Sequence, residues 1–233
     1  MSNQNVVTRE EWLEARKTLM AREKAFTRER DELNKARQSL PWVKIDENYT
    51  FTSPNGEATL ADLFEGRSQL IVYHFMFGAD WEEGCPSCSF WADGYDPLIV
   101  HLNARDVSLA VISSASLDKL EAYKNRMGWS FKWVSSANNN FNRDFRVSFS
   151  ETDLAEEGPN YNFGVNRFNG PEAPGMSVFY KDDNGAIYHT YSAYARGLDI
   201  FNAAYHYLDV VPKGRDEGDL PYPMAWLRRH DAY

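Results

Sequence analysis

Gln69-Leu-Ile-Val-Tyr-His-Phe-Met-Phe77, followed after Gly78 by Cys85-Pro-Ser-Cys88, is the stretch on which the reading of this chain turns. The apolar run lies between Gly66 and Gly78 and does not alternate with polar residues. That pattern suits a strand buried on both faces of a sheet. A helix is expected to follow, from Ser89 to Arg105. Cys85 then sits where unpaired backbone N–H groups and the helix dipole favour a thiolate, and Cys88 lies one turn on. Cys85 reads as the attacking thiol and Cys88 as the resolving one, cycling between dithiol and disulfide by thiol–disulfide exchange. Pro86 suits the first helical turn because it has no N–H to leave unpaired. Asp80, Glu82 and Glu83 precede Cys85, and their charge is expected to hold back its ionisation.

Two blander readings stand beside the redox one. A Cys-X-X-Cys can be half a zinc site, but the chain has no further cysteine, and its five histidines show no ligand spacing among themselves. The pair can also be inert core. His74, inside the apolar run, reads as a satisfied core histidine. Phe75, Phe77, Trp81, Phe90 and Trp91 read as core first and as the rim of a substrate groove second.

Upstream, Thr8 to Arg37 reads as a long helix opened by a Thr8/Glu11 capping box. Trp12, Leu19, Phe26, Leu33 and Leu40 recur every seven residues, a narrow apolar stripe on a segment with nine basic and seven acidic residues. Such a stripe packs on the chain's own domain or on a second copy. Tyr49 to Ser53, the turn Pro54-Asn-Gly and Ala58 to Leu60 form a hairpin, and Leu60 to Phe64 a helical turn. Downstream come a strand at Val107 to Ile112, a helix from a Ser116 cap to Met127 and a strand end at Phe131 to Val134. Residues 135–174 are polar, rich in Asn and punctuated by Gly and Pro, and read as a long functional or mobile loop. Met176 to Tyr180 and Ala186 to Tyr191 flank Asp183-Asn-Gly as an antiparallel hairpin. A helix from Leu198 to Leu208 and a turn-rich tail from Pro212 close the chain. Nothing is assigned to Arg228-Arg-His230. Strands alternating with helices and ending in a hairpin imply an α/β protein with a mixed sheet covered on both faces.

The 233 residues are 43% hydrophobic and 25% charged, the balance of a folded globule. A net charge of −9 disfavours nucleic acid and anionic membranes as partners. No apolar stretch is long enough to span a bilayer, and the first ten residues lack the pattern of a secretory signal. A cytoplasmic location is expected.

These strings resemble the thioredoxin-like superfamily, in its peroxiredoxin and thiol–disulfide oxidoreductase branch. Tyr49 to Phe64 looks like that branch's opening hairpin, and Gln69 to Phe77 like the strand leading to its cysteines. Leu109 to Gly128 looks like the next strand and helix, and Met176 to Gly185 like the late hairpin. More narrowly, His74 to Cys88, His101-Leu-Asn-Ala-Arg-Asp106, Tyr188 to Gly197 and Arg228 to Tyr233 are similar to a bacterial family of unknown function. Its members are described as predicted dithiol–disulfide oxidoreductases.

The resemblance implies a thioredoxin-like three-layer sandwich with a mixed central sheet, plus the long N-terminal helix. It divides the chain into a helical extension (1–44), a thioredoxin-like domain (45–211, with an insertion near 135–174) and a tail (212–233). Peroxidase members carry a threonine three residues before the attacking cysteine, where this chain has Glu82. Thioredoxins carry a cis-proline facing the cysteines, where this chain has Met176, with Pro174 two residues earlier. The expected site is therefore Cys85 and Cys88, with Trp81, Pro86, Pro174 and Met176 as a substrate groove. No cofactor is expected, and the partner is a protein or small-molecule thiol or disulfide. A non-catalytic binding module, with a homodimer through the N-terminal helix, and a thiol peroxidase are the alternatives.

Overall fold

The computed structural model describes residues 5–155, 159–164 and 166–233. The chain divides into two compact units, Met1–Pro41 and Trp42–Tyr233. Among its described residues the first holds one helix, α1 (Arg9–Gln38), with Thr8 as N-cap. Both halves of the expected capping box are made: Glu11 N–H donates to Thr8 Oγ1 at 3.2 Å, and Thr8 N–H donates to Glu11 Oε2 at 2.9 Å.

The second unit begins with β1 (Val43–Lys44), β2 (Thr50–Ser53) and β3 (Gly56–Thr59), a 3-10 turn at Asp62–Phe64 and β4 (Gln69–His74). Then come α2 (Pro86–Ala92), α3 (Asp96–Asn103), β5 (Val107–Ser113), α4 (Leu117–Arg126) and β6 (Lys132–Ser135). The segment that follows holds α5 (Phe141–Asp144), α6 (Glu151–Ala155), β7 (Asn160–Tyr161) and β8 (Asn166–Arg167). β9 (Gly175–Lys181), β10 (Ile187–Tyr194), a 3-10 stretch Ala195–Phe201 and α7 (Ala203–Leu208) complete it.

Eight strands form one sheet in the order β1-β10-β9-β4-β5-β6-β2-β3. Within it β4 and β5 run parallel, β9 is antiparallel to β4, and β10 is antiparallel to β9. The order β5-β4-β9-β10 with those directions is the core of the thioredoxin-like fold. The period-two alternation of a strand explains the unbroken apolar run. Tyr73 of β4, Leu109 and Val111 of β5 and Met176 of β9 face one apolar layer with α2, α3 and α4. Leu70, Val72, Ala110, Ile112 and Phe179 face the other. Among the described residues no helix is long and apolar enough to cross a membrane.

Several expectations change. The helix foreseen over Ser89–Arg105 is two helices, α2 and α3, with Asp93-Gly94-Tyr95 between them. Gly94 weakens the helix there, and Pro97 has no N–H for an intrahelical bond and restricts Asp96. The single helix foreseen over Leu198–Leu208 likewise breaks at Asn202, whose side chain accepts Tyr205 N–H to start α7. Ser116 stands at the start of α4, but its side chain makes no capping bond.

Residues 135–174 are not an open polar loop, although 156–158 and 165 lie outside the described residues. Phe141, Phe145 and Phe149 recur every four residues and are buried in the second apolar layer with Val147 and Tyr161. Polar composition hid these buried aromatics, of which only Phe141 lies within a helix, α5. Phe141 and Phe145 stack on the His74 ring with centroids 5.5 and 5.6 Å away.

Candidate active site

β4 leads into a loop that folds back onto its own start, just past the end of this central strand. Cys85 N–H donates to Met76 O at 3.1 Å, which anchors the loop just before the cysteines. Cys85 is the N-cap of α2, with Pro86 in the first turn as the sequence predicts. Its carbonyl accepts both Ser89 N–H (3.0 Å) and Ser89 Oγ (2.9 Å). Both cysteines are reduced; Cys85 is partly exposed and Cys88 buried. The two lie 3.9 Å apart.

The two thiols are held in opposite states. Cys85 is pulled down to about 7, chiefly because the Cys88 side chain hydrogen-bonds its sulfur. Burial pushes the other way, and the N–H groups of Cys88 and Ser87 with the Ser87 hydroxyl add to the lowering. Cys88 is pushed well up, first by burial and then by its bond to the Cys85 sulfur and that sulfur's charge. The Tyr73 hydroxyl and Met76 N–H, at 3.4 Å, hydrogen-bond the Cys88 sulfur.

This corrects the expectation of a weakly activated Cys85. Asp80 and Glu82 are exposed. Glu83 is tied up by two arginines: it pairs with Arg126, and its Oε2 lies 2.8 Å from Arg229 Nη1. The donors that reach the sulfur come from the Cys85–Cys88 segment itself.

Arg229 is the residue that sequence reasoning missed. Besides Glu83 it donates to Gly84 O and to the Tyr123 hydroxyl, each at 2.8 Å, so the tail clamps the residues just before Cys85. His230 Nδ1 lies 2.6 Å from Asp93 Oδ1, fixing the tail at the far end of α2. The Arg228 to Tyr233 string was the only signal, and it carried no position.

A cavity of about 690 Å3 opens beside the pair, lined by Ser87 and Cys88 with Tyr73, Met76, Trp91, Tyr161, Phe168, Pro174, Leu198 and Tyr205. Pro174 lines the same cavity as Cys88. Its peptide is trans, as are all those among the described residues. Met176 is buried in the core, paired with Tyr73 in the sheet. Trp81 is half-buried against the same apolar layer, and its carbonyl accepts Lys119 Nζ at 3.0 Å.

Beneath the site runs a row of hydrogen-bonded groups. Glu172 meets Ser148 (2.8 Å), Ser148 meets Ser114 (2.9 Å), Ser114 meets Asn142 (3.3 Å), and Asn142 meets His74 (3.0 Å). His74 continues to Ser177 (2.9 Å), Ser192 (2.9 Å) and His189 (2.7 Å). His74 is a satisfied core histidine, and burial lowers it to about 4. Glu172 is raised to about 7, chiefly by burial. Among the described residues no group of three or more His, Cys, Asp or Glu is placed to hold a metal ion.

Comparison with known proteins adds the following. The profile of a family described as "Bacterial protein of unknown function (DUF899)" matches residues 1–233. No curated protein matches the chain. Similar solved structures include the peroxidoxin BcpB from Mycobacterium tuberculosis, at 13% identity and a TM-score of 0.47, covering 70% of this chain and 94% of that one. A cysteine-to-serine mutant of peroxiredoxin Q from Xanthomonas campestris shows 13% identity and a TM-score of 0.46, covering 68% and 91%. The mitochondrial 2-cys peroxiredoxin from Plasmodium falciparum shows 15% identity and 0.41, covering 70% and 92%.

Proposed function

We propose that this chain, which belongs to the bacterial DUF899 family, is a dithiol–disulfide oxidoreductase with Cys85 as nucleophile and Cys88 as resolving thiol. The observation that carries the reading is the split acidity of two sulfurs 3.9 Å apart: a partly exposed thiol near 7 beside a buried one held protonated.

Thiol–disulfide exchange needs that asymmetry, because the thiolate attacks and the pair must then close on itself. The Cys85 thiolate attacks one sulfur of a substrate disulfide, forming a mixed disulfide and releasing the first substrate thiolate. Cys88 gives up its proton and attacks Cys85 Sγ. The second substrate thiol leaves, and two electrons have passed to the substrate. Run backwards, the same steps oxidise a dithiol.

The test is the reduction potential of the pair, read by mass spectrometry across glutathione redox buffers, with Cys85→Ser as control. A reversible two-electron couple is expected. No Cys85–Cys88 disulfide at any poise, or disulfide-reductase activity undiminished in Cys85→Ser, would sink the reading and leave a non-catalytic binding module. The proposal places the chain in the cytoplasm, which fractionation checks. Chemical crosslinking of the full chain tests for a homodimer through α1.

A further inference from the structure

The cavity beside the cysteines is lined by the second of them and not by the first, which does not suit a plain substrate groove. Cys88 and Ser87 line it, and Cys85, the thiol that faces outward, is not among its lining residues. Its wall is apolar and aromatic, with Tyr73, Met76, Trp91, Phe168, Leu198 and Tyr205. The polar atoms on that wall already have partners. Tyr161 donates its hydroxyl to Pro174 O and accepts Ala195 N–H, and Trp91 Nε1–H donates to Leu198 O at 2.9 Å.

The charges at the mouth are satisfied in the same way. Arg215 pairs with Asp209 at 2.7 Å and with Asp199 at 2.9 Å, and Arg196 pairs with Asp199 at 3.0 Å. Glu217 accepts from the Tyr205 hydroxyl (3.1 Å), Met224 N–H (3.0 Å) and Trp226 Nε1–H (2.8 Å). A site with its own polar groups paired rewards a neutral, apolar occupant, since a charged one loses its water without gaining a partner.

Resting on the dithiol reading above, we propose that this cavity binds a low-molecular-weight thiol with an apolar or aromatic body, which reduces the Cys85–Cys88 disulfide by attacking Cys88. Substrate and reductant then use opposite sulfurs. The thiol, having lost its proton to water, forms a bond from its sulfur to Cys88 Sγ. The Cys88–Cys85 bond breaks and Cys85 leaves as a thiolate. A second molecule of the thiol attacks the exogenous sulfur of the mixed disulfide on Cys88, giving the small-molecule disulfide and the Cys88 thiolate, which takes up a proton. Two thiols are oxidised to one disulfide and the protein gains two electrons. The N–H groups of Cys88 and Ser87 and the Ser87 hydroxyl, which hydrogen-bond the Cys85 sulfur, stabilise it as the leaving thiolate.

The experiment uses the oxidised full-length protein and two neutral thiols of similar acidity, phenylmethanethiol and 2-mercaptoethanol. Reduction is stopped with an excess of alkylating agent, and fragmentation between Pro86 and Ser87 shows which cysteine carries the thiol. The expected result is phenylmethanethiol on Cys88 with Cys85 alkylated. Its rate should saturate with concentration and exceed that of 2-mercaptoethanol by about tenfold or more at low concentration, the effect of burying one ring. Phenylmethanethiol on Cys85, or linear rates that are equal for the two thiols, overturns the inference while leaving the dithiol couple standing. A protein in which Cys85 and Cys88 never form a disulfide overturns the dithiol reading itself.

Discussion

Replacing Cys88 with alanine removes the largest influence lowering the Cys85 thiol, the hydrogen bond from the neighbouring sulfur, and leaves the opposing burial in place. In the native chain, a thiol near 7 is about half ionised at pH 7. Returned to an ordinary value of about 8.5, it would be about 3% ionised, roughly a fifteenfold loss of thiolate. The more basic thiolate is the better nucleophile. With a Brønsted slope of about 0.4–0.5, a rise of about 1.5 units returns about fivefold. The net expectation is a roughly threefold slower attack at pH 7 and a roughly fivefold faster one above both values, so the two pH–rate curves cross. A chromogenic aromatic disulfide, followed by stopped flow from pH 5 to 10, reads the first attack directly. Cys88→Ser keeps a hydroxyl donor and should hold the midpoint near its native place. A loss of folding would slow attack at every pH and give no crossing. A midpoint for Cys88→Ala that stays at about 7 would refute the argument that the cysteine pair activates itself.

Three further outcomes follow from the geometry. Gly84→Ala would put a Cβ 2.7 Å from Phe75 Cε1 and 2.9 Å from Tyr123 Cε1, both core rings, and should cost about 1–3 kcal/mol, seen as a lower Tm. Arg229→Ala cuts the tail from Glu83, Gly84 and Tyr123, and should speed amide exchange over residues 80–88; unchanged exchange there would remove the clamp from the account. Glu172 holds its proton up to about 7 in the fold and to about 4.3 when unfolded. Between those values the folded chain binds more protons, so stability should fall as pH rises through that window, by about 4 kcal/mol in all. Glu172→Gln should flatten that slope in denaturant titrations at pH 5 and pH 8.

Much of this was legible in the sequence because it depended on local pattern. The apolar run of β4, the Asp183-Asn-Gly turn and the Thr8/Glu11 box each carry their structural reason within a few residues. What failed to show depended on distant partners. The carboxylates ahead of Cys85 looked like its electrostatic environment, yet Glu83 is claimed by Arg126 and Arg229, from α4 and the tail. The segment 135–174 looked polar because its Asn and Gly residues outnumber the aromatics that decide its packing. Pro174 and Cys88 line one cavity because the chain returns there to enter β9, which no local spacing announces.

The row from His189 to Glu172 has one more property, which follows from counting hydrogens. Asn142 donates its amide to Ser114, so its carbonyl oxygen faces His74 and the proton of that neutral ring sits on Nδ1. Nε2 must then accept from Ser177, which must accept from Ser192, which accepts from His189. On the other side Ser114 donates to Ser148 and Ser148 to Glu172. Every proton points the same way, toward the carboxyl group, and each donated bond polarises the next. Two histidines on different strands have to agree on where their protons sit, so this core carries a direction as well as a shape.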